Sequence, residues 1–171
     1  QECEDPERVL RDGGLQDEYT AFFHRDGNNT MCMAYRRDGW FLEAHGHQRV
    51  AEDLHGLFGT RSVQWMRLRH ASGARIFFMN HHGPLPINTG GICGSQATIY
   101  NILRIIEEHA QPGDGVVLVG DFNSDAASEE VRLLKEYLLH VHVGSFLDGI
   151  DHIFSNVDSL QVVSKNTLDN G

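Results

Sequence analysis

Apolar positions along this chain recur mostly in short, strand-like runs, broken by glycine, proline, Asn and Asp. Met31 to Arg37 and Trp40 to Ala44 read as strands around Asp38-Gly39, a pair that predicts a hairpin turn. Arg49 to Leu57 reads as a short helix. Ser62 to His70 is a predicted strand with Val63 and Trp65 on one face, and Ser72-Gly73 turns the chain into a second, more apolar strand over Arg75 to Asn80. His81 to Gly94 holds four glycines and two prolines and is predicted as a loop. Over Ser95 to His109 the period becomes helical, with Ile99, Leu103 and Ile106 as its apolar stripe, and Gln111-Pro112-Gly113 ends it. Val116 to Val119 is a continuous apolar run, as expected of a strand covered on both faces. Ser128 is a predicted N-cap, followed by Glu129 and Glu130 at the positive end of a helix whose inner stripe is Val131, Leu134 and Leu138. Asp151 to Ser155 and Leu160 to Ser164 are the last predicted strands. Strands that dominate, with helices connecting some of them, fit a two-sheet core with helices outside.

Size and charge narrow the picture slightly. The 171 residues have the length of one domain, and a domain of this size buries roughly 70% of the surface its unfolded chain exposes. No apolar run reaches the length of about 18 residues that a membrane span needs. The formal charge of −10 disfavours a broad phosphate-neutralising face for nucleic acid. A local cationic cleft remains compatible with it, and Arg36, Arg37, Arg61, Arg67 and Arg69 are its candidates. Cys3, Cys32 and Cys93 cannot all pair with one another and show no C-x-x-C spacing, so they read as small, half-buried apolar residues. The chain opens at Gln1 without Met and reads as an excerpt or processed product. The compartment stays undetermined, and a monomer is expected.

Three segments carry chemistry. Gly120-Asp121-Phe122-Asn123 lies where a predicted buried strand runs out into a loop. There a sheet fixes the backbone while the loop exposes side chains. Asp121 and Asn123 are two apart, so both face one side, where a carboxylate and a carboxamide suit a hard cation and an attacking water. An Asx turn ending the strand is the plain structural alternative. Asn80-His81-His82-Gly83 ends another apolar strand, and a histidine there can donate to a phosphate oxygen or relay a proton. With 11 histidines in the chain, a surface role is the plain alternative. In Ile150-Asp151-His152-Ile153 a carboxylate enters an apolar strand, a costly placement that predicts a partner, such as a histidine that it orients.

Together with Gln1-Glu2 at the start, these segments in this order resemble the endonuclease/exonuclease/phosphatase superfamily, which includes deoxyribonuclease I-like nucleases, apurinic endonucleases, neutral sphingomyelinases, deadenylases and inositol polyphosphate phosphatases. Gly120-Asp121-Phe122-Asn123 is similar to its GDFN motif, Gln1-Glu2 to the end of its LQE motif, Tyr35-Arg36 to its YR strand, and Asn80-His81-His82 to its NTH motif. Ile150-Asp151-His152-Ile153 resembles its RIDYI motif. The resemblance implies an α+β fold, a four-layer α/β/β/α sandwich of two mixed sheets with flanking helices. It implies one domain over residues 1–171, incomplete at both termini, without the family's first strand and without the strand that carries its SDH motif.

It also implies roles. Glu2 would bind Mg²⁺ or Mn²⁺, and Asp121 would share that metal and prepare the water. Asn123, His82 and Arg61 would hold the phosphate, with His81 in reserve. Asp151 would orient a second catalytic histidine, while His152 falls where the family varies. The implied activity is metal-dependent hydrolysis of a phosphodiester or phosphomonoester by in-line attack of an activated water. An excerpt without the closing histidine is expected to be nearly inactive. The substrate would be a small molecule, a lipid headgroup or a nucleic acid; the acidic charge and the absence of a basic residue between Gly83 and Gly94 favour the first two. A catalytically inactive binding module of the same fold is the alternative. A zinc protein built on His45/His47, His81/His82 and His140/His142 is a second, although none of these has zinc-motif spacing.

Overall fold

The computed structural model describes residues 2–27, 29–52, 59–85, 94–145, 147 and 149–158. Helix α1 (Pro6–Asp12) begins with Asp5 accepting from the Arg8 N–H at 2.9 Å and with Pro6 in its first turn, where a missing N–H costs nothing. Strands β1 (Tyr19–Asp26) and β2 (Asn29–Arg36) pair antiparallel across Gly27, whose φ of +60° suits the turn. They form a small sheet of their own. The larger sheet holds β3 (Trp40–Glu52), β4 (Thr60–His70), β5 (Arg75–His82), β6 (Gly115–Asp121), β7 (Leu139–Val143) and β8 (Asp151–Ser155) in the order β3-β4-β5-β6-β8-β7. Helix α2 (Gly94–His109) lies between β5 and β6 in the chain, and those two strands are parallel; the other neighbours in this sheet are antiparallel. Helix α3 (Glu129–Leu134) is capped by Ser128, which accepts from the Val131 N–H.

Two apolar layers follow. Val63, Phe77, Leu118 and Phe154 of the large sheet bury against Ile99, Ile102 and Ile105 of α2 and Val131 and Leu134 of α3. On the other face Met66 and Leu68 of β4 meet Met33 of β2, with Phe22 and Tyr35 packed beside them. The chain is therefore α+β, two sheets with helices outside, as expected, and among the described residues the small sheet is an antiparallel pair. No helix among the described residues is long and apolar enough to cross a membrane.

Several local expectations need correction. Asp38-Gly39 does turn the chain, with Gly39 at φ +78°, but β2 and β3 belong to different sheets. The turn is a corner between layers rather than a hairpin, because Met33 of β2 packs against Met66 and Leu68 of β4. Arg49 to Glu52 continues β3, where pairing with β4 overrides weak helical preference; residues 53–57 lie outside the described residues, as does the strand expected over Leu160 to Ser164. In α2 the buried stripe is Ile99, Ile102 and Ile105, with Leu103 and Ile106 only partly covered. Cys3 and Cys32 are joined in a disulfide, Cα atoms 5.7 Å apart and 29 positions apart in sequence. Closing a loop of that size stabilises by about 3–4 kcal/mol. Cys93 lies outside the described residues.

At the end of the sheet away from the cleft described below, Arg67 reaches Asp114 through Nε to Oδ2 at 2.6 Å and Nη2 to Oδ1 at 2.9 Å. Asp114 also accepts from the Gln111 N–H at 2.9 Å. Glu43 caps the same guanidinium. This paired, hydrogen-bonded group fastens β4 to the turn that launches β6.

Candidate active site

Parallel strands linked by a crossover leave a crevice beyond their carboxyl ends, the usual place for a ligand in sheets of this kind. Here β5 and β6 end on the same rung, His82 opposite Asp121, and β8 begins on it, Asp121 opposite Asp151. With strands about 4.8 Å apart, one rung brings three sequence-predicted residues within roughly 10 Å.

The turn after β6 is built to present them. Phe122 is buried among His81, His152 and Phe154, and its N–H donates to the Ile150 carbonyl at 2.8 Å. That anchor leaves Asp121 and Asn123 on the opposite side. The Asn123 N–H donates to Asp121 Oδ1 at 2.7 Å, and its Nδ2 donates to the Gly83 carbonyl at 2.9 Å. Asn123 adopts φ +51°, a conformation Asn accepts more readily than most residues. The Asx turn is thus real, and it leaves Asp121 Oδ2 uncommitted to that turn. Gly83 lies flat against Phe122, and its N–H donates to the Asp121 carbonyl at 2.8 Å.

A cleft of about 390 Å³ opens here. Glu2, Arg61, His82, Asp121 and Asn123 line it, joined by Asn29 and Thr30 from the start of β2. Leu85, Leu147 and Ile150 supply an apolar side. Leu147 is held at φ +44°, an uncommon conformation for a residue with a Cβ. Asp151 is not among the lining residues; it is exposed beside the cleft. Among the described residues Asp151 is exposed rather than buried in its strand, so the burial cost expected of it does not arise.

The two adjacent histidines separate. His82 borders the cleft, whereas His81 is buried and its Nδ1 donates to the Ser62 carbonyl at 3.2 Å. Burial, with the Arg61 charge adding, pushes His81 down to about 4. Burial, Arg61 and His81 push His82 down to about 3. At neutral pH His82 is therefore an uncharged imidazole, and its Nε2, 4.0 Å from Asp121 Oδ2, makes neither an ion pair nor a hydrogen bond with it. Burial raises the Asp121 carboxyl, the charges of Asp151 and Glu2 raise it further, and the Asn123 N–H and Arg61 act against them. His152, next to Asp151, points elsewhere: its Nε2 donates to the Ser124 carbonyl at 2.7 Å, and its Nδ1 meets His140 Nε2 at 3.1 Å.

The five candidate arginines do not share one cleft. Arg61 is 3% exposed and borders it, but Arg36 pairs with Glu18, Arg37 donates to the Gln16 carbonyl, Arg69 pairs with Glu43 and Arg67 holds Asp114. Sequence reasoning missed Asn29. It is 5% exposed, and both atoms of its side-chain amide are without a hydrogen-bond partner among the described residues. The available signal was Asp26-Gly27, a turn pair that places Asn29 at the head of β2.

Carboxylates, a carboxamide, an arginine and a neutral imidazole thus gather at the strand ends of a two-sheet α+β frame. The chain belongs to the endonuclease/exonuclease/phosphatase family, whose sequence profile matches residues 4–171. Members of this family are hydrolases acting on phosphoesters. No curated protein matches the chain in sequence. Among solved structures it is similar to an endonuclease/exonuclease/phosphatase from Bacteroides vulgatus, at TM-score 0.68 and 18% identity over 86% of this chain and 67% of that one. The mannosyl-6-phosphatase of Bacteroides thetaiotaomicron aligns at TM-score 0.67 and 17% identity over 86% and 67%. D. rerio TDP2, solved with a single-strand DNA product, aligns at TM-score 0.57 and 15% identity over 86% and 65%. The chain thus spans about two thirds of the length of these structures.

Proposed function

We propose that the cleft hydrolyses a phosphodiester or phosphomonoester with a divalent cation, Mg²⁺ or Mn²⁺, held by Glu2 and Asp121. The observation that carries this reading is the meeting of Glu2, Arg61, His82, Asp121 and Asn123 in one cleft. The donor set suits such a cation. Its ligating atoms are carboxylate oxygens, and Mg²⁺ takes only one or two carboxylates while keeping its waters. Asp121, raised by burial and by Asp151 and Glu2, has a charge balance that a cation would relieve. Among the described residues no three or more His, Cys, Asp or Glu side chains converge as a zinc site would require, whereas the cation proposed here rests on two carboxylates and its own waters.

When bound, the cation would offset negative charge on the reacting phosphate. The chain's own groups would do the rest. Asp121 Oδ2 orients a water and takes its proton, while Oδ1 stays fixed by the Asn123 N–H. Neutral His82 and Arg61 donate to non-bridging oxygens, as does the second N–H of the Asn123 amide, in a fixed arrangement that favours the more charged transition state. Asp151, exposed on the same rung, would orient a further group at the rim. Asn29, whose side-chain amide has no hydrogen-bond partner among the described residues, would add a donor and an acceptor at the cleft wall.

The test is Mg²⁺-dependent turnover of bis-(p-nitrophenyl) phosphate by the full-length protein. Asp121→Ala is expected to lower the rate by on the order of 10²-fold or more. Parental rates in that variant would remove Asp121 from the mechanism.

A further inference from the structure

We propose that the Cys3–Cys32 disulfide is a positioning element of this cleft: it holds Glu2 in the geometry that binds the divalent cation, so opening the bond weakens cation binding in a protein that stays folded. The inference rests on the cation reading above.

Glu2 borders the cleft, yet its backbone does not adopt that place by preference. Its φ is +51°, in the left-handed region where only a few per cent of non-glycine residues are found. Such a conformation persists when surrounding structure imposes it. From Asp5 onward α1 fixes the chain, with Asp5 capping Arg8. Between that helix and Glu2 stands Cys3, tied through its sulfur to Cys32.

Cys32 is well anchored. It lies within β2 opposite Phe23 of β1, and its carbonyl accepts from Asn80 Nδ2 at 3.3 Å. Asn80 sits on β5, two residues before His82. A continuous path therefore runs from β5 through Asn80, Cys32 and Cys3 to Glu2. Among the described residues it ties Glu2, which lies in neither sheet, to the strand that carries His82. Glu4 adds a contact to Arg25 at 3.9 Å, between two exposed side chains, and such pairs contribute little in water.

The geometry opposes a natural tendency. Glu2 and Asp121 carry like charges toward one cleft, and without a cation they repel. With the Cys3–Cys32 bond opened, the exposed Glu2 side chain is freer to turn away from Asp121. If the opened segment presents Glu2 correctly about a tenth of the time, the apparent cation affinity falls about tenfold.

The experiment titrates Mn²⁺, followed by electron paramagnetic resonance, into the full-length protein carrying Cys93→Ser to prevent thiol exchange. The protein is measured oxidised and after a phosphine reductant has opened the bond to two thiols, the phosphine becoming its oxide with oxygen from water. Hydrogen exchange over residues 2–5 in metal-free protein gives a second readout. The expected result is faster exchange in that segment, retained protection in β4 to β6, and an Mn²⁺ dissociation constant raised about tenfold. Cys32→Ser should reproduce both effects. In Glu2→Gln, reduction should leave the already weaker Mn²⁺ binding unchanged. Equal Mn²⁺ affinity in the two redox states overturns the proposal, as does an undiminished effect of reduction in Glu2→Gln. Oxidised protein that binds no Mn²⁺ overturns the cation reading itself. Should reduction unfold the chain, the pair Cys3→Ala/Cys32→Val, which keeps the site apolar, carries the same comparison.

Discussion

Adding one methyl group at Gly83 tests whether the end of β5 and the Asp121–Asn123 turn form a single rigid unit. A Cβ there would stand 2.2 Å from the Phe122 carbonyl oxygen, 2.6 Å from its carbonyl carbon and 3.0 Å from its Cα. All three are backbone atoms, so no side chain can rotate away. Restoring ordinary contact, at roughly 3.3 Å, parts the two segments by about 1 Å. That gap is bridged by the Gly83 N–H to the Asp121 carbonyl at 2.8 Å and by Asn123 Nδ2 to the Gly83 carbonyl at 2.9 Å. Losing the two bonds costs about 1 kcal/mol each, and overpacking adds about 1–3 kcal/mol. Gly83→Ala should therefore lose about 3–5 kcal/mol in urea denaturation. A displacement of about 1 Å between His82 and Asn123 should also lower kcat/KM on bis-(p-nitrophenyl) phosphate by roughly 10²-fold. Gly13→Ala is the control. Its φ is −82°, its nearest contact would be 3.3 Å, and its stability should change by less than about 1 kcal/mol. A Gly83→Ala protein as stable as the Gly13 control, with parental turnover, would refute the reasoning.

Two further outcomes concern the frame that holds the cleft. Arg67→Ala strands Asp114, whose side chain has no solvent exposure, and is expected to cost about 3–5 kcal/mol by thermal or urea unfolding; the pair Arg67→Met/Asp114→Leu should cost clearly less. His81 and His82 are held neutral by burial at about 4 and about 3, against 6.5 in the unfolded chain. Because the unfolded chain then binds more protons, stability should be intact above about pH 6.5 and fall as the pH drops from there toward the folded values, by up to about 1.4 kcal/mol per pH unit for each ring. Urea midpoints measured at pH 7 and pH 5 check this, and identical midpoints would contradict the burial argument.

Much of the frame was legible because its signals are local. The helical period before Gln111-Pro112-Gly113, the Ser128 cap and the apolar run Val116 to Val119 each act within a few residues, and each maps onto an observed element. The elements that escaped depend on partners far along the chain. Asp38-Gly39 specifies a reversal but cannot say which sheet receives the next strand; Met33 meeting Met66 and Leu68 decides that. Likewise, an odd number of cysteines conceals which two meet, since connectivity is a property of the fold. At the cleft, Asp121, Asn123 and His82 were readable from strand ends. Asn29 was not, because an Asn after Asp-Gly resembles any turn residue until the sheet buries it. The split between His81 and His82 follows from strand alternation: one ring enters the core beside Phe122 and the next faces the opening.

The shared rung of His82 and Asp121 has a consequence for how such a chain can change over evolutionary time. Between the end of β5 and the start of β6 the chain passes through α2, and β6 then runs parallel to β5 up to the rung that His82 and Asp121 share. Insertions or deletions within that connection can reshape the border of the opening while the backbone ladder keeps the two end residues in step. Recognition and spacing are thereby separable traits, and descendants can diversify the first without disturbing the second.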